Sequence, residues 1–191
     1  MRTLYLDFGS HHKTVAIVDG NTVATSTLEN RTEEAIILKT ITSLTDLDSI
    51  ARIALVTGPG GFMSLRSAFS VGNALAWSSK ITIGGIHLSD VKLAQLPKKT
   101  DAIWVHSTKK DLLFVRGKGD AEASVMTPDA LLKKLGKKKP VFVGELIPAQ
   151  AELLGIMPAA DLQPIEHVLP SIVDGMTYAE PPLLPWYGRG I

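Results

Sequence analysis

Three glycines and a proline occupy four consecutive positions, Gly58-Pro59-Gly60-Gly61, between an apolar run, Ile53–Val56, and a stretch of helical character, Leu65–Trp77. Neither a helix interior nor a central strand accommodates that composition. Glycine loses the most backbone freedom on ordering, and proline has no amide hydrogen to donate. The segment therefore predicts a tight strand-to-helix turn with bare backbone. Amide groups in such a turn point past the helix N-terminus, toward an anion, a partner chain or a neighbouring turn. The phosphate motifs do not match: Met63-Ser64 stands where a P-loop has its Gly-Lys, and Met63 replaces the last glycine of a GxGxxG pattern begun by Gly58 and Gly60. A structural turn is thus favoured over a phosphate cradle. Arg66, one turn into the helix, is positioned to meet an anion or a carboxylate, and Gly58, Gly60, Gly61 and Arg66 stand as the anion-proximal candidates.

The chain before the turn reads as an antiparallel meander. Thr3–Phe8 and Lys13–Val18 are β-rich, Asp19-Gly20-Asn21 is a strong hairpin signal, and Thr22–Leu28 follows as a third strand. Asn30 or Thr32 is suited to cap the next helix, which runs to Leu44 with Ile37, Ile41 and Leu44 on one stripe. Ile36 lies off that stripe beside Ala35 and Leu38, so the apolar face is wider than one packing contact requires. The helix after the glycine turn carries Leu65, Ala68, Phe69, Gly72 and Ala76 on one side and Ser67, Ser70, Val71, Ala74 and Trp77 elsewhere. Small residues on more than one side let neighbouring helices approach closely.

After Ile81–Ile86 (a strand) and His87–Leu96 (a helix), Pro97-Lys98-Lys99-Thr100 marks a boundary. Two strands, Ala102–Val105 and Leu112–Val115, and a third at Ala123–Met126 then repeat the antiparallel opening. Thr127 caps a helix with Pro128 at its first position, Pro140–Val143 is a short strand, and Pro148–Leu154 and Val168–Met176 are helical. The extended tail Glu180–Tyr187 must lie on something. The order β-β-β-α-β-α-β-α followed by β-β-(β)-α-β-α predicts an α/β protein of two related lobes, 1–97 and 98–191, the second trimmed.

With 45% hydrophobic but only 6% aromatic residues, the core must be built from Ile, Leu, Val and Ala. The absence of cysteine excludes disulfides, cysteine-ligated zinc and thiol catalysis. No apolar run approaches the ~20 residues of a membrane span, and Asp7 interrupts the N-terminus too early for a signal peptide. A soluble, cytoplasmic protein without membrane contact is expected. A formal net charge of +1 carries no global nucleic-acid signal. Lys109-Lys110, Lys133-Lys134 and Lys137–Lys139 are the basic clusters, read first as solvated surface and second as a place for RNA phosphates.

Asp7-Phe8-Gly9-Ser10 ends the first strand. An acid followed by glycine and a hydroxyl can orient a metal-bound phosphate, though an acid capping its own turn is the commoner arrangement. Adjacent His11 and His12 point to opposite faces of a strand and do not form a ligand cluster. No metal site and no catalytic constellation are expected.

The block Thr57-Gly-Pro-Gly-Gly-Phe-Met-Ser-Leu-Arg66-Ser-Ala68 resembles the Gly-Pro-Gly-Ser-Phe-Thr-Gly-Leu-Arg segment of the TsaB (YeaZ) family. The strand ending in Asp7, the hairpin, the Ile83-Gly84-Gly85-Ile86 strand and the Glu180-Pro181…Tyr187-Gly188-Arg189 ending are similar as well, and the resemblance runs from Met1 to about Gly119. It implies an actin-like, Hsp70-like (ribonuclease H-like) two-lobe fold, related by sequence to the peptidase M22-like glycoproteases. It also implies a non-catalytic role in making the threonylcarbamoyl group on adenosine 37 of tRNA. The implied partners are a TsaD-type transferase and a TsaE-type ATPase, with tRNA and Mg-ATP met only through that complex. The implied interface lies on the helices Thr32–Leu44 and Met63–Trp77, at Ile36, Ser67, Ser70, Val71 and Ala74, and the same surface would serve a homodimer. Gly61, Met63 and Ser64 replace the family's Ser, Thr and Gly, and Asp7-Phe8-Gly9-Ser10 replaces Asp-Thr-Ala/Ser-Thr. Fewer hydroxyls at both turns weaken the alternative, a small actin-fold ATPase or phosphotransferase using Asp7, Ser10 and the Gly58–Gly61 turn.

Overall fold

Strand β1 (Arg2–Asp7) is buried on both faces at every position after Arg2, and it lies at the centre of a five-stranded sheet. A computed structural model describes residues 1–29, 33–97, 100–109, 111–117, 119–138, 140–155 and 162–188. The chain divides into two compact units, Met1–Leu88 with Pro164–Tyr187, and Ser89–Gln163 with the end of the chain from Gly188.

In the first unit, β2 (Lys13–Asp19) and β3 (Thr22–Leu28) complete the antiparallel meander through the predicted Asp19–Asn21 hairpin. The chain then crosses over through α1 (Glu34–Leu44) and a single 3-10 turn to β4 (Arg52–Gly58), parallel to β1, and through α2 (Phe62–Ser79) to β5 (Thr82–His87), parallel to β4. The strand order is β3-β2-β1-β4-β5. Leu4, Leu6, Val15, Ile17, Ile53 and Leu55 form one face of the core with Ile37 and Ile41 of α1 and Ala68 and Phe69 of α2. Asn30 and Thr32, the expected caps of α1, lie outside the described residues; Glu33 occupies the N-cap position without a side-chain cap bond.

The second unit repeats the plan with one strand fewer. After α3 (Leu88–Ala94), β6 (Ala102–Lys109), β7 (Leu112–Gly117) and β8 (Ser124–Met126) form the meander, and β9 (Val141–Glu145) pairs parallel to β6, giving the order β8-β7-β6-β9. Between them lies α4 (Pro128–Leu135), whose N-cap Thr127 accepts a hydrogen bond from the Ala130 amide at 3.3 Å. With α5 (Pro148–Leu154) it closes a small core of Val105, Leu113, Val115, Leu131 and Leu154. Arg116 of β7 holds the start of α3, donating to Asp90 at 2.6 Å and Ser89 at 2.8 Å.

The last helix, α6 (Ile165–Gly175), returns to the first unit and packs on β2 and β3. Thr25 donates to Glu166 at 2.9 Å, and Arg52 donates to Asp174 at 2.7 Å while its guanidinium lies 4.6 Å from the ring centre of Tyr178. Among the described residues no helix is long and apolar enough to cross a membrane.

Candidate functional site: a closed pair of turns and an open pair of helices

Strands β1 and β4 are parallel neighbours, so the turns that leave them emerge side by side. The first belongs to Asp7. Its carboxylate is buried and accepts hydrogen bonds from the Gly9 amide (3.0 Å), the Ser10 amide (3.0 Å) and the Ser10 hydroxyl (2.6 Å). Asp7 and Ser10 therefore bind each other and hold their own turn. His11 behind them is half-buried and His12 exposed.

The second is the glycine turn, which links β4 to α2 as the sequence predicts. Part of its bare backbone, at Gly58 and Gly60, is covered by the chain itself, while Gly61 is exposed. A Cβ on Gly60 would stand 2.7 Å from the Gly9 Cα and 3.2 Å from the Gly9 carbonyl oxygen. Reciprocally, a Cβ on Gly9 would stand 2.7 Å from the Pro59 carbonyl oxygen. Gly58, at φ +136°, would drive a Cβ into the Trp186 carbonyl oxygen. The Trp186 amide in turn donates to the Thr57 carbonyl at 2.8 Å. Of the three occupants open to such a turn, the neighbouring turn is the one found, and the returning tail of the same chain lies beside it. The Asp7 carboxylate is engaged with Gly9 and Ser10, Gly60 is packed against Gly9 and Gly58 against Trp186, while Gly61 at the start of α2 is exposed.

The tail reaches that position along α2 and β5. Asn73 pairs with Leu183 in both directions, donating to its carbonyl at 2.9 Å and accepting from its amide at 2.8 Å. Ala179 bridges to Ile83, covering the edge of β5. Gly84 and Gly85 are small because the tail crosses them: a Cβ on Gly84 would meet the Thr177 carbonyl oxygen at 2.7 Å.

Helices α1 and α2 present the remaining surface. On α2, Leu65, Ala68, Phe69, Gly72 and Ala76 face inward, and Gly72 brings the helix so close to β4 that a Cβ would stand 2.8 Å from Leu55 Cδ1. Met63, Arg66, Ser70, Ala74 and Trp77 recur every three or four residues and are all exposed. Trp77 is 75% exposed and Met63 64%, far from the usual environment of side chains this size. Beside Trp77, a cavity of about 460 Å³ is lined by Ala76, Lys80, Ile81, Thr82, Glu180 and Pro181. On α1, Ile37 and Ile41 face inward while Ile36 and Leu38 are exposed.

The five interface candidates separate on this frame. Ile36, Ser70 and Ala74 are exposed, whereas Ser67 and Val71 are buried. Ser67 donates to Glu34 of α1 at 2.7 Å and so ties the two helices together. That hydrogen bond is the main reason the Glu34 carboxyl titrates below its ordinary range, and the charge of Arg66 acts in the same direction. Arg66 thus stands near a carboxylate of its own chain. Met63, Leu38 and Trp77 join the exposed surface beyond the sequence candidates; extending the spacing of Arg66, Ser70 and Ala74 by one step in each direction reaches Met63 and Trp77.

No protein-family model matches the chain, and no curated protein matches it by sequence. Among solved structures it is similar to YeaZ from Pseudomonas aeruginosa, with a TM-score of 0.68 and 16% identity over 97% of this chain and 99% of that one. An uncharacterized protein with similarity to peptidase YEAZ, also from Pseudomonas aeruginosa, gives a TM-score of 0.68 at 14% identity, over 98% of this chain and 99% of that one. The fold expected from the sequence, mixed α/β with two sheets of like strand plan, is the fold of this chain, and the likeness to YeaZ extends over nearly all of it.

Proposed function

We propose that this chain is a TsaB (YeaZ)-type accessory subunit in the formation of N6-threonylcarbamoyladenosine at position 37 of tRNA. It works in the cytoplasm without catalysing the reaction, holding a TsaD-type transferase against the exposed face of α1 and α2. One observation carries the reading: two helices tied by Ser67 and Glu34 leave Ile36, Leu38, Met63 and Trp77 in water around a strip of small residues, Ser70 and Ala74. Exposed aromatic and aliphatic side chains around a low-relief strip suit a helix-on-helix contact. The resemblance of the glycine block to the family supports the choice of partner, and a TsaE-type ATPase would join the assembled pair. The phosphotransferase alternative is disfavoured, because Asp7, Gly58 and Gly60 are engaged with their own chain.

The test is complex formation with a TsaD-type protein on gel filtration. Ser70→Arg and Ala74→Arg put a guanidinium into the middle of the contact, where an unpaired buried charge costs about 3–5 kcal/mol. Both variants are expected to keep the wild-type circular dichroism spectrum and to lose co-elution. Co-elution unchanged in both would rule out this face. A homodimer that forms through the same helices and excludes the transferase would point instead to a self-associating binding protein.

A further inference from the structure

We propose that the second unit contacts the phosphate backbone of RNA directly, through Lys133, Lys134, Lys137 and Lys138 at the C-terminal end of α4. The near-neutral total conceals a division of charge. Residues 89–163 hold twelve Lys and Arg against nine Asp and Glu, a formal +3, while 1–88 with 164–187 hold seven against ten, a formal −3. Much of the excess positive charge is gathered in one place. Four of the six positions from Lys133 to Lys138 are lysine, all four are exposed, and none forms an ion pair with a described residue.

The backbone beneath them is fixed. Leu131 is fully buried and Leu135 packs on the same core, four residues apart on the inner side of α4, so Lys133 and Lys134 are held outward. Gly136, at φ +56°, ends the helix with its amide bonded to the Leu132 carbonyl at 3.0 Å. The Lys138 amide then bonds back to the Leu135 carbonyl at 3.0 Å, curling the chain so that Lys137 and Lys138 stay at the same helix end. The nearest acid in the helix, Asp129, stands in its first turn, so α4 carries negative charge at one end and positive at the other. Two lysines in the last turn suffice to meet the negative end of the helix dipole. Lys137 and Lys138 lie past the cap, where they add repulsion within a Debye length and no stabilising contact.

A polyanion relieves that repulsion. Lysine ammonium groups act as point charges on phosphates, and among the described residues of the second unit no aromatic side chain is exposed to stack a base, so the contact reads backbone and not sequence. The shared chemistry is a nucleic-acid phosphate chain; its assignment to RNA rests on the function proposed above, and the contact itself goes beyond the accessory role.

The experiment uses the full chain alone, without any transferase, so its outcome is independent of the α1–α2 interface. Fluorescence anisotropy would follow binding of an unmodified tRNA transcript, and of a DNA duplex of similar mass, across a salt series. Binding of tRNA in the range of about 10⁻⁴–10⁻⁶ M is expected, with affinity falling as salt rises at about 0.7–0.9 log units per log unit of salt for each phosphate neutralised. Replacing Lys133, Lys134, Lys137 and Lys138 with Gln should weaken binding at least tenfold and remove most of the salt slope, with an unchanged circular dichroism spectrum. Lys39→Gln with Lys80→Gln, on the first unit, should leave affinity unaltered. The proposal fails if wild type does not bind tRNA at low salt, if the fourfold variant binds as wild type does, or if duplex DNA binds more tightly than tRNA. Sedimentation with anionic phosphatidylserine vesicles in the absence of tRNA binding would also overturn it, in favour of a membrane surface.

Discussion

Gly60→Ala tests whether the glycine turn is filled by its own chain. The added methyl would stand 2.7 Å from the Gly9 Cα and 3.2 Å from both the Gly9 carbonyl oxygen and Leu65 Cγ. Carbon atoms in contact settle near 3.5–4.0 Å, so something must move by close to an ångström. Gly9 resists, because its amide and that of Ser10 are both bound to Asp7 at 3.0 Å and the Ser10 hydroxyl closes the same carboxylate at 2.6 Å. Overpacking against backbone of this kind costs about 1–3 kcal/mol, which for a chain of this length lowers the melting temperature by about 2–12 °C. Gly61→Ala is the control. Its φ of −63° suits any residue, and its Cβ would meet nothing nearer than Ser64 Oγ at 3.5 Å. There the gain from a stiffer unfolded chain, about 0.4–1 kcal/mol, is offset by alanine's poor fit to an N-cap. Thermal unfolding followed by circular dichroism should separate the two variants clearly. Equal melting temperatures would mean that the space over Gly60 is open, and the case against an anion there would collapse with it.

Two further outcomes follow from single side chains of the first unit. Ser67→Ala removes the main cause of the low Glu34 pKa, so carbon-13 titration of the Glu34 carboxyl should show its midpoint move up; a midpoint that stays put would deny the α1–α2 tie. Because a depressed carboxyl stabilises the fold above its unfolded pKa and loses that contribution as pH falls through the folded value, the variant should also be less sensitive to acid. Tyr5 is fully buried, its hydroxyl has no hydrogen-bond partner among the described residues, and burial followed by the nearby Asp7 charge raises its pKa well above the usual phenol value. Tyr5→Phe is therefore expected to raise stability by about 1 kcal/mol and to reduce the loss of stability that begins above about pH 10, where the unfolded phenol ionises. A lower urea midpoint for Tyr5→Phe at neutral pH would contradict this.

The parts of the fold that the sequence made legible are those specified by local chemistry. Asp19-Gly20-Asn21 dictates a hairpin whatever surrounds it, and Gly58–Gly61 dictates a break between strand and helix. The repeated order of elements followed from such marks, and the strand orders β3-β2-β1-β4 and β8-β7-β6-β9 express it. Long-range contacts leave weaker traces. Nothing periodic in Glu180-Pro181-Pro182 indicates that Asn73 will grip Leu183, although Gly84-Gly85 inside a strand is a trace of the close approach of another backbone. Likewise, α6 has an ordinary amphipathic pattern, and its destination on β2 and β3 is set by Arg52 with Asp174 and Thr25 with Glu166, pairs 122 and 141 residues apart in sequence. Helical spacing identified Ser67, Ser70, Val71 and Ala74 as lying off the core stripe. It did not reveal that Ser67, bonded to Glu34 of α1, and Val71 are buried, because the arc of a helix hidden by its neighbours depends on how they pack and not on its own sequence alone.

That covering connects the two halves of the site. The chain enters α2 from a turn wedged between Gly9 and the Trp186 carbonyl, and Gly72 lays the helix directly on Leu55. The helix therefore has little freedom to rotate about its axis, and the tie from Ser67 to Glu34 removes what remains between α2 and α1. Which residues face water is then decided by the packing of the turn and sheet, and Ser70, Ala74 and Trp77 fall outward as a consequence. Small residues have opposite effects at the two places. At Gly9, Gly58 and Gly60 they allow backbones to meet; at Ser70 and Ala74 they leave a shallow strip between Trp77 and Met63. A partner helix gains most from a strip that is already ordered, because no rotamer-rich side chain has to be immobilised there on association. Closing the turns and opening the helix face are thus one structural arrangement, in which the packing that fills the turns also fixes which face of α2 meets water.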